Sequence, residues 1–307
     1  MDNAPSKRDM LKNDLITVDQ QLREKSCKWK VGSLLLLVGL PFFLVIFQIF
    51  IRAEVIPADY TISHLWLNFS QPNISAMFAT NYIHDVWLPE HVIGNSTSYF
   101  GIIYLTFILY FIIIPVLKIH NVLHFEYSDA AFFGTAITYL VGLPIAISGI
   151  SILFGRMLSQ TGGWGFSGIV WAFYAYLFFL ILTVMYDYIL HKISAKVEDS
   201  MSDTISSQSI GLNINSVKKP TIANVALTLI FINFLLIVLP VYAILLDIGN
   251  KNIGVFVHLA GFTLGLFVAA LIMMICEEKR IKSQIAHFAI LLSIIILSSI
   301  CWLFIGN

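Results

Sequence analysis

Seven long apolar stretches constrain the fold of this chain more than any other feature of its sequence. A helix needs about 20 apolar residues to cross a hydrocarbon core of about 30 Å, and only helices and closed barrels satisfy all their backbone polar groups inside a bilayer. The sequence therefore predicts an all-α polytopic membrane protein. The predicted spans cover roughly residues 31–51, 93–117, 131–154, 166–190, 222–246, 254–276 and 285–304.

Composition excludes several other classes of protein. The chain is 58% hydrophobic and 12% charged, whereas a soluble domain carries about 25% charged residues. This excludes a soluble enzyme, a disordered protein and a nucleic-acid binder with a basic face. The three cysteines, Cys27, Cys276 and Cys301, are too few and too scattered for a disulfide framework or a zinc cluster.

The basic residues predict the orientation of the spans. If the N-terminus is cytoplasmic, then of the 18 Lys and Arg residues only Arg52, Arg156 and Lys251 lie outside. Cytoplasmic segments of membrane proteins are enriched in Lys and Arg. We therefore expect a multi-pass protein of the cell membrane with a cytoplasmic N-terminus and an external C-terminus.

The chain divides into segments of different character. Residues 1–30 form a basic, polar tail that we expect to be cytoplasmic, and residues 31–276 hold six of the spans. Residues 52–92 form a long external loop. The Ser- and Asp-rich residues 191–221 have no periodic apolar pattern and predict a flexible cytoplasmic loop. Residues 277–307 add one further transmembrane helix.

Polar residues collect at the external ends of spans two, four and six. Ser167 opens span four, His258 lies just inside span six, and His91 and Asn95 open span two at i and i+4 on one helical face. These three spans all run from outside to inside. Their first turns therefore lie at one depth in the membrane.

A serine and a histidine at one depth indicate nucleophilic catalysis. Serine is a poor nucleophile unless a base takes its proton, and the unperturbed pKa of histidine lies near neutrality. Gly261 and Gly265 follow His258 on the same helical face, where a GxxxG pair lets two membrane helices pack closely. The matching small face of span four consists of Gly168, Ala172 and Ala175.

Acyl transfer also requires hydrogen-bond donors near the developing oxyanion. His91 and Asn95 can both donate, and the backbone N–H of Ser167 lies at the N-terminus of a helix. No acidic residue lies at a matching depth with an obvious link to His258. The sequence therefore predicts a dyad of Ser167 and His258 rather than a triad.

These residues resemble the motifs of the rhomboid intramembrane serine proteases over roughly residues 31–276. Many members of that family carry a stretch similar to His84-Asp85-Val86-Trp87 before the first motif. Three family motifs, HxxxN, GxSG and HxxGxxxG, match residues on three spans in the family's order: His91 and Asn95; Gly165, Ser167 and Gly168; His258, Gly261 and Gly265.

The resemblance implies a fold and an activity. It implies a six-helix core with a water-accessible cavity open to the outside, Ser167 as the nucleophile and His258 as the base. His91, Asn95 and the amide of Ser167 would stabilise the oxyanion. Substrates would be membrane-anchored proteins that are cut in or near a transmembrane segment, without a cofactor, a metal or a nucleic acid.

The chain departs from the family pattern at several positions. Trp171 stands where the family usually has a tyrosine that packs against the catalytic histidine. The Trp-Arg pair common in the family's first external loop is absent from residues 52–92, which instead carry glycosylation sequons at Asn68 and Asn73.

Three other interpretations fit parts of the sequence. A metal site would use His120 and His124, or His84 with Asp85 and His91, but the chain has no HExxH motif. A non-catalytic rhomboid-like protein would bind membrane clients, and such relatives typically lose the serine or the histidine. A secondary transporter would show paired broken helices in an inverted repeat, which the sequence lacks.

Overall fold

The structure is a computed structural model. It gives the backbone alone at residues 7–8, 89–92, 190–206 and 253–255. The described residues are 7–83, 89–123, 128–157, 159–163, 165–206, 231, 253–276, 287, 289–291 and 293–294.

Four described helices are long and apolar enough to cross a membrane, and a bent pair would make a fifth. This confirms the prediction of an all-α polytopic membrane protein. The four helical stretches are Cys27–Arg52, Ile93–Ile119, Ser167–Ile189 and Phe256–Cys276, and the bent pair is Asp129–Val141 with Leu143–Met157.

Several elements make up these spans. The first contains α2 (Cys27–Leu34), a π-helical turn (Leu35–Gly39) and α3 (Leu40–Arg52). The second contains α6 (Pro89–Ile108), a π-helical turn (Leu109–Ile113) and α7 (Ile114–Ile119). The bent pair is α8 (Asp129–Val141) and α9 (Leu143–Met157). The remaining two helices are α10 (Ser167–Ser206) and α11 (Ile253–Cys276).

Proline residues explain where these helices deviate from regular α-helix. Pro41 and Pro115 come just after the two π-helical turns. A proline lacks the backbone N–H that would donate to the carbonyl four residues earlier, so the regular α-helical bond cannot form there. Pro144 follows the 42° bend between α8 and α9. Its missing N–H leaves the carbonyl of Leu140, four residues earlier, without its helical donor.

Helix α10 lies at the centre of the described helices. Most of its membrane stretch is buried, whereas most of Cys27–Arg52 faces outward. Among the described elements, its most extensive partner is α11, and α6 and α8 also pack against it. Phe173, Phe179 and Leu180 are fully buried along its length. The start of α10 is therefore supported from several sides.

Residues 58–82, which we call the bracing segment, are folded rather than loop-like. They contain α4 (Ala58–Tyr60), a π-helical turn (Thr61–Leu65), strand β1 (Leu67–Asn68), α5 (Ile74–Ala79) and a 3₁₀ turn (Thr80–Tyr82). The side chain of Asn73 caps α5 by accepting the N–H of Ala76 at 2.7 Å. The apolar residues Leu67, Phe69 and Ala76 form a small core of their own.

The N-terminal region is also helical, with α1 covering Lys7–Glu24. The carboxylate of Asp14 lies 2.7 Å from Nε2 of His120, at the end of α7. The ammonium of Lys25 lies 2.6 Å from the carboxylate of Asp129, at the start of α8. The predicted polar tail is thus docked on the bundle at two points.

Two further predictions concern segments that the structure describes only in part. Helix α10 continues to Ser206, so residues 191–206 are helical and not the flexible loop that their composition predicted. The predicted spans 222–246 and 285–304 lie almost wholly outside the described residues, so the six-helix core and the additional C-terminal helix remain predictions.

Candidate active site

Helix α10 begins at Ser167, directly after a glycine-rich turn. The carbonyl of Phe166 accepts the N–H groups of Ile169 and Val170, both at 3.1 Å, and starts the helix. Ser167 is 8% exposed. It stands in the first turn, where backbone N–H groups lack helical acceptors and the helix dipole is positive. Its surroundings therefore favour negative charge.

Gly165 gives the turn before Ser167 its shape. Its φ of +135° is a conformation that residues with a side chain rarely adopt. A Cβ at this position would lie 3.8 Å from Oγ of Ser167. The missing side chain therefore leaves space beside the serine hydroxyl.

Helices α10 and α11 approach each other backbone to backbone. A Cβ at Gly261 would overlap the carbonyl oxygen of Gly168 and lie 2.7 Å from its carbonyl carbon. One turn further along, a Cβ at Gly265 would lie 2.6 Å from Cα of Ala172. The close approach thus depends on glycine at both positions of α11.

This contact brings His258 close to the first turn of α10. A Cβ at Gly168 would lie 3.0 Å from a methyl carbon of Val257, so these two residues are neighbours in space. Ser167 and His258 each adjoin one of them in sequence. The half-buried His258 ring lies 5.6 Å from the ring of Trp171, one turn after Ser167. Ser167, His258 and Trp171 therefore lie toward the same end of the α10–α11 interface.

Helix α6 lies beside the start of α10. The ring of Tyr99 packs edge-on against Phe166 at 5.5 Å and against Phe173 at 5.1 Å. Asn95 is half-buried and precedes Tyr99 by one turn. His91 belongs to α6 by its backbone, one turn further from these contacts, and its side chain lies outside the description. Of the two predicted oxyanion residues, Asn95 is thus the nearer to these contacts along α6.

The glycine-rich turn pairs with the bracing segment as a two-stranded sheet. Strand β2 (Gly162–Gly163) runs antiparallel to β1, with Leu67 opposite Gly163. A Cβ at Gly162 would overlap the carbonyl oxygen of Leu67 and the ring of Trp66. Arg156 donates from Nε to the carbonyl of Phe69 at 2.5 Å. The turn is therefore fixed on the side that leads from α9.

Thr80 contacts the same turn on the side that leads to Ser167. Its Oγ1 donates to the carbonyl of Gly163 at 2.6 Å. Its own carbonyl accepts the N–H of Gly165 at 2.9 Å. Thr80 is 4% exposed. One buried residue thus binds the backbone on both sides of residue 164.

The next two residues of the bracing segment bind at the bend between α8 and α9. Nδ2 of Asn81 donates to the carbonyl of Pro144 at 3.1 Å and to Oγ of Ser148 at 2.9 Å. The hydroxyl of Tyr82 donates to the carbonyl of Leu140, the acceptor that Pro144 leaves without a helical donor. Burial raises the pKa of Tyr82, which keeps the hydroxyl protonated as a donor.

The bracing residues carry no signal that the sequence alone makes visible. A lone polar residue in a loop has no period that indicates its partner, and these partners lie far along the chain. Only Pro144 marks a carbonyl that needs a new donor. The residues concerned are Thr80, Asn81, Tyr82 and Arg156.

The structure bears on the metal interpretation at His120. Its Nε2 lies 2.7 Å from a carboxylate oxygen of Asp14, which sequence spacing did not predict. His84, Asp85 and His124 lie outside the described residues. Within the described part of the chain, no cluster of three or more His, Cys, Asp or Glu residues could hold a metal ion.

In comparisons with known proteins, no family model, no curated protein and no solved structure matches this chain. Its function must therefore be inferred from its residues and their placement.

Proposed function

We propose that this multi-pass membrane protein is an intramembrane serine endopeptidase. It hydrolyses peptide bonds in or near transmembrane segments of membrane-anchored proteins, with Ser167 as the nucleophile and His258 as the general base. The observation that carries the proposal is the contact of Gly168 with Gly261 and Val257, which places the helix of the serine against the helix of the histidine.

The reaction follows the chemistry of a serine nucleophile. The imidazole of His258 takes the proton from Oγ of Ser167 as Oγ attacks the carbonyl carbon of the substrate. The imidazolium then gives that proton to the departing amine, and an acyl ester remains on Ser167. Water repeats the two steps, releases the new carboxylate and restores the free serine.

Donors near the first turn of α10 would stabilise the tetrahedral intermediate. The backbone N–H of Ser167 belongs to a helix N-terminus, where negative charge is favoured. Asn95 and His91, on the neighbouring α6, supply further donors in this proposal. A preorganised set of donors is usually the largest single contribution to such catalysis.

Trp171 supports the base rather than the nucleophile. Its ring packs against His258 at an angle of 31° and also against Tyr174 and Phe262, at 5.1 and 6.4 Å. An indole provides an apolar face but no hydroxyl. We infer that it limits rotation of the imidazole, which a general base requires for alignment.

The site opens to the external side of the cell membrane in this proposal. The distribution of Lys and Arg predicts a cytoplasmic N-terminus. Span four then enters the membrane from outside, with Ser167 in its first turn. Substrate segments reach the serine from the bilayer and must unwind locally, since a helix engages its own peptide bonds.

A fluorophosphonate probe tests the dyad without knowledge of the substrate. The full-length protein is treated with the probe in mild detergent and in lipid nanodiscs, and the labelled residue is mapped by mass spectrometry. We expect labelling at Ser167 in the wild type and none at that residue in Ser167→Ala or His258→Ala, because the hydroxyl is unreactive without its base.

The bracing segment supplies a matched control for this experiment. Oγ of Ser63 lies 2.7 Å from Nδ1 of His64, so the chain contains a Ser–His contact outside the proposed site, in an exposed position. His64→Ala should leave the labelling of Ser167 unchanged. A folded wild type that stays unlabelled in both detergent and lipid, or is labelled only at Ser63, would contradict the proposal and favour a non-catalytic client-binding protein.

A further inference from the structure

We propose that Thr80 is a positioning residue for the serine. In this proposal it immobilises the turn Gly162–Gly165, and thereby fixes the hydroxyl and the N–H of Ser167 relative to α11. The inference rests on the proposed function, since it assigns Thr80 a role in presenting the nucleophile.

The turn needs such support because it is built almost wholly from glycine. Gly162, Gly163 and Gly165 occupy three of its four positions. Glycine loses more conformational freedom on folding than any other residue. A nucleophile that follows such a turn is poorly preorganised unless other parts of the protein hold the backbone.

Thr80 provides that support with two hydrogen bonds of opposite direction. It donates through Oγ1 to the carbonyl of Gly163 at 2.6 Å and accepts the N–H of Gly165 at 2.9 Å. Together these bonds hold the backbone at Gly163 and at Gly165. Ser167 follows Gly165 by two residues, so little freedom remains between the support and the hydroxyl.

Thr80 is itself held in place by its neighbours. Asn81 binds the carbonyl of Pro144 and the hydroxyl of Ser148, and is 3% exposed. The ring of Tyr82 contacts Phe166 at 5.8 Å. The position of the glycine-rich turn is thus set by α8 and α9 through three consecutive residues of the bracing segment.

Three variants separate positioning from general stability. Thr80→Val removes the hydroxyl and keeps the shape, whereas Thr80→Ser keeps the hydroxyl. Thr183→Val is the matched control. Thr183 is a buried residue of α10, and its hydroxyl donates to the carbonyl of Phe179 in the same helix, at 2.8 Å.

Two measurements are made on each full-length variant. The first is the rate of Ser167 labelling as a function of fluorophosphonate concentration. For Thr80→Val we expect a fall of about two- to tenfold in the maximal rate, from the loss of one hydrogen bond, with the half-saturating concentration unchanged. Thr80→Ser should restore the rate, and Thr183→Val should leave it at the wild-type value.

The second measurement is hydrogen exchange in residues 161–166, which does not depend on catalysis. We expect faster exchange there in Thr80→Val, and wild-type exchange in Thr80→Ser and Thr183→Val. Wild-type labelling and exchange in a folded Thr80→Val protein would overturn the inference. Failure of Thr80→Ser to restore either measurement would also overturn it.

The two proposals fail in distinguishable ways. If the wild type itself is never labelled at Ser167, the proposed function fails, and with it the role of Thr80 in presenting a nucleophile. Faster exchange in Thr80→Val would then show only that Thr80 immobilises the turn. If the wild type is labelled and Thr80→Val behaves identically, the function stands and the positioning role fails.

Discussion

The α10–α11 interface and the bracing segment hold the same serine by opposite means. At the interface, side chains are missing: Gly261 lies against the backbone of Gly168. In the bracing segment, side chains make the contacts: Asn81 donates hydrogen bonds to the carbonyl of Pro144 and the hydroxyl of Ser148. Close packing fixes the distance between α10 and α11, whereas side-chain hydrogen bonds fix the path of the backbone that leads from α9 to α10.

Adding a methyl group at the α10–α11 interface should have a larger effect on stability and labelling than any substitution in the bracing segment. Gly261→Ala places a methyl group on the carbonyl of Gly168, so the helices must separate. We expect an overpacking cost of about 3 kcal/mol and loss of Ser167 labelling. Thermal unfolding in detergent and probe labelling measure both effects.

Gly101→Ala is the matched control, because a Cβ at Gly101 meets no atom within 4 Å. It should leave labelling intact. A Gly261→Ala protein with wild-type stability and labelling would show that the tight contact is not what aligns the two helices.

Removing Asn81 should loosen the bracing segment while leaving the helix interface intact. Asn81→Ala leaves the buried carbonyl of Pro144 without this donor, at a cost of about 1–3 kcal/mol. The free energy of unfolding should fall by that amount. The rate of hydrogen exchange should rise in residues 74–83 but not in 256–276. The exposed Asn13→Ala is the control. Equal exchange increases in both segments would remove the distinction between the two regions.

Tyr82→Phe should have the smallest effect, because only one hydrogen bond is lost. We expect a destabilisation of about 1 kcal/mol from the loss of the bond to Leu140. The exposed Tyr60→Phe is the control and should change stability little.

The effect of Tyr82→Phe should also depend on pH. Burial raises the pKa of Tyr82 in the folded protein, so its contribution is complete below the ordinary tyrosine pKa of about 10 and is lost as the pH rises above that value. The difference in unfolding temperature between wild type and Tyr82→Phe should therefore shrink between pH 8 and pH 11. A constant difference would contradict the burial of a protonated hydroxyl.

The sequence predicted the parts of the molecule whose physics is periodic. Apolar runs of span length marked the long helices, and the spacing of Gly261 and Gly265 marked the face of α11 that approaches α10. Such patterns indicate which surface is buried because they repeat with the helix. The apolar run at 131–154 did not reveal that Gly142 and Pro144 divide it into two helices with a bend.

The bracing segment was not predictable because its bonds join single residues across long stretches of chain. The bond from Thr80 to Gly163 crosses 83 positions, and that from Asn81 to Pro144 crosses 63. The extension of α10 to Ser206 was missed for a different reason. A polar composition predicts solvation, but a helix that a span has already nucleated continues without a new nucleation cost.

The bend between α8 and α9 has a mechanical consequence for the serine. Tyr82 and Asn81 donate hydrogen bonds to carbonyl groups at the bend, and the adjacent Thr80 donates to the turn before Ser167. The bend and the glycine-rich turn are therefore connected through the short 3₁₀ turn Thr80–Tyr82. A change in the 42° angle between α8 and α9 would therefore move the groups to which Asn81 and Tyr82 bind and, through Thr80, the turn before Ser167.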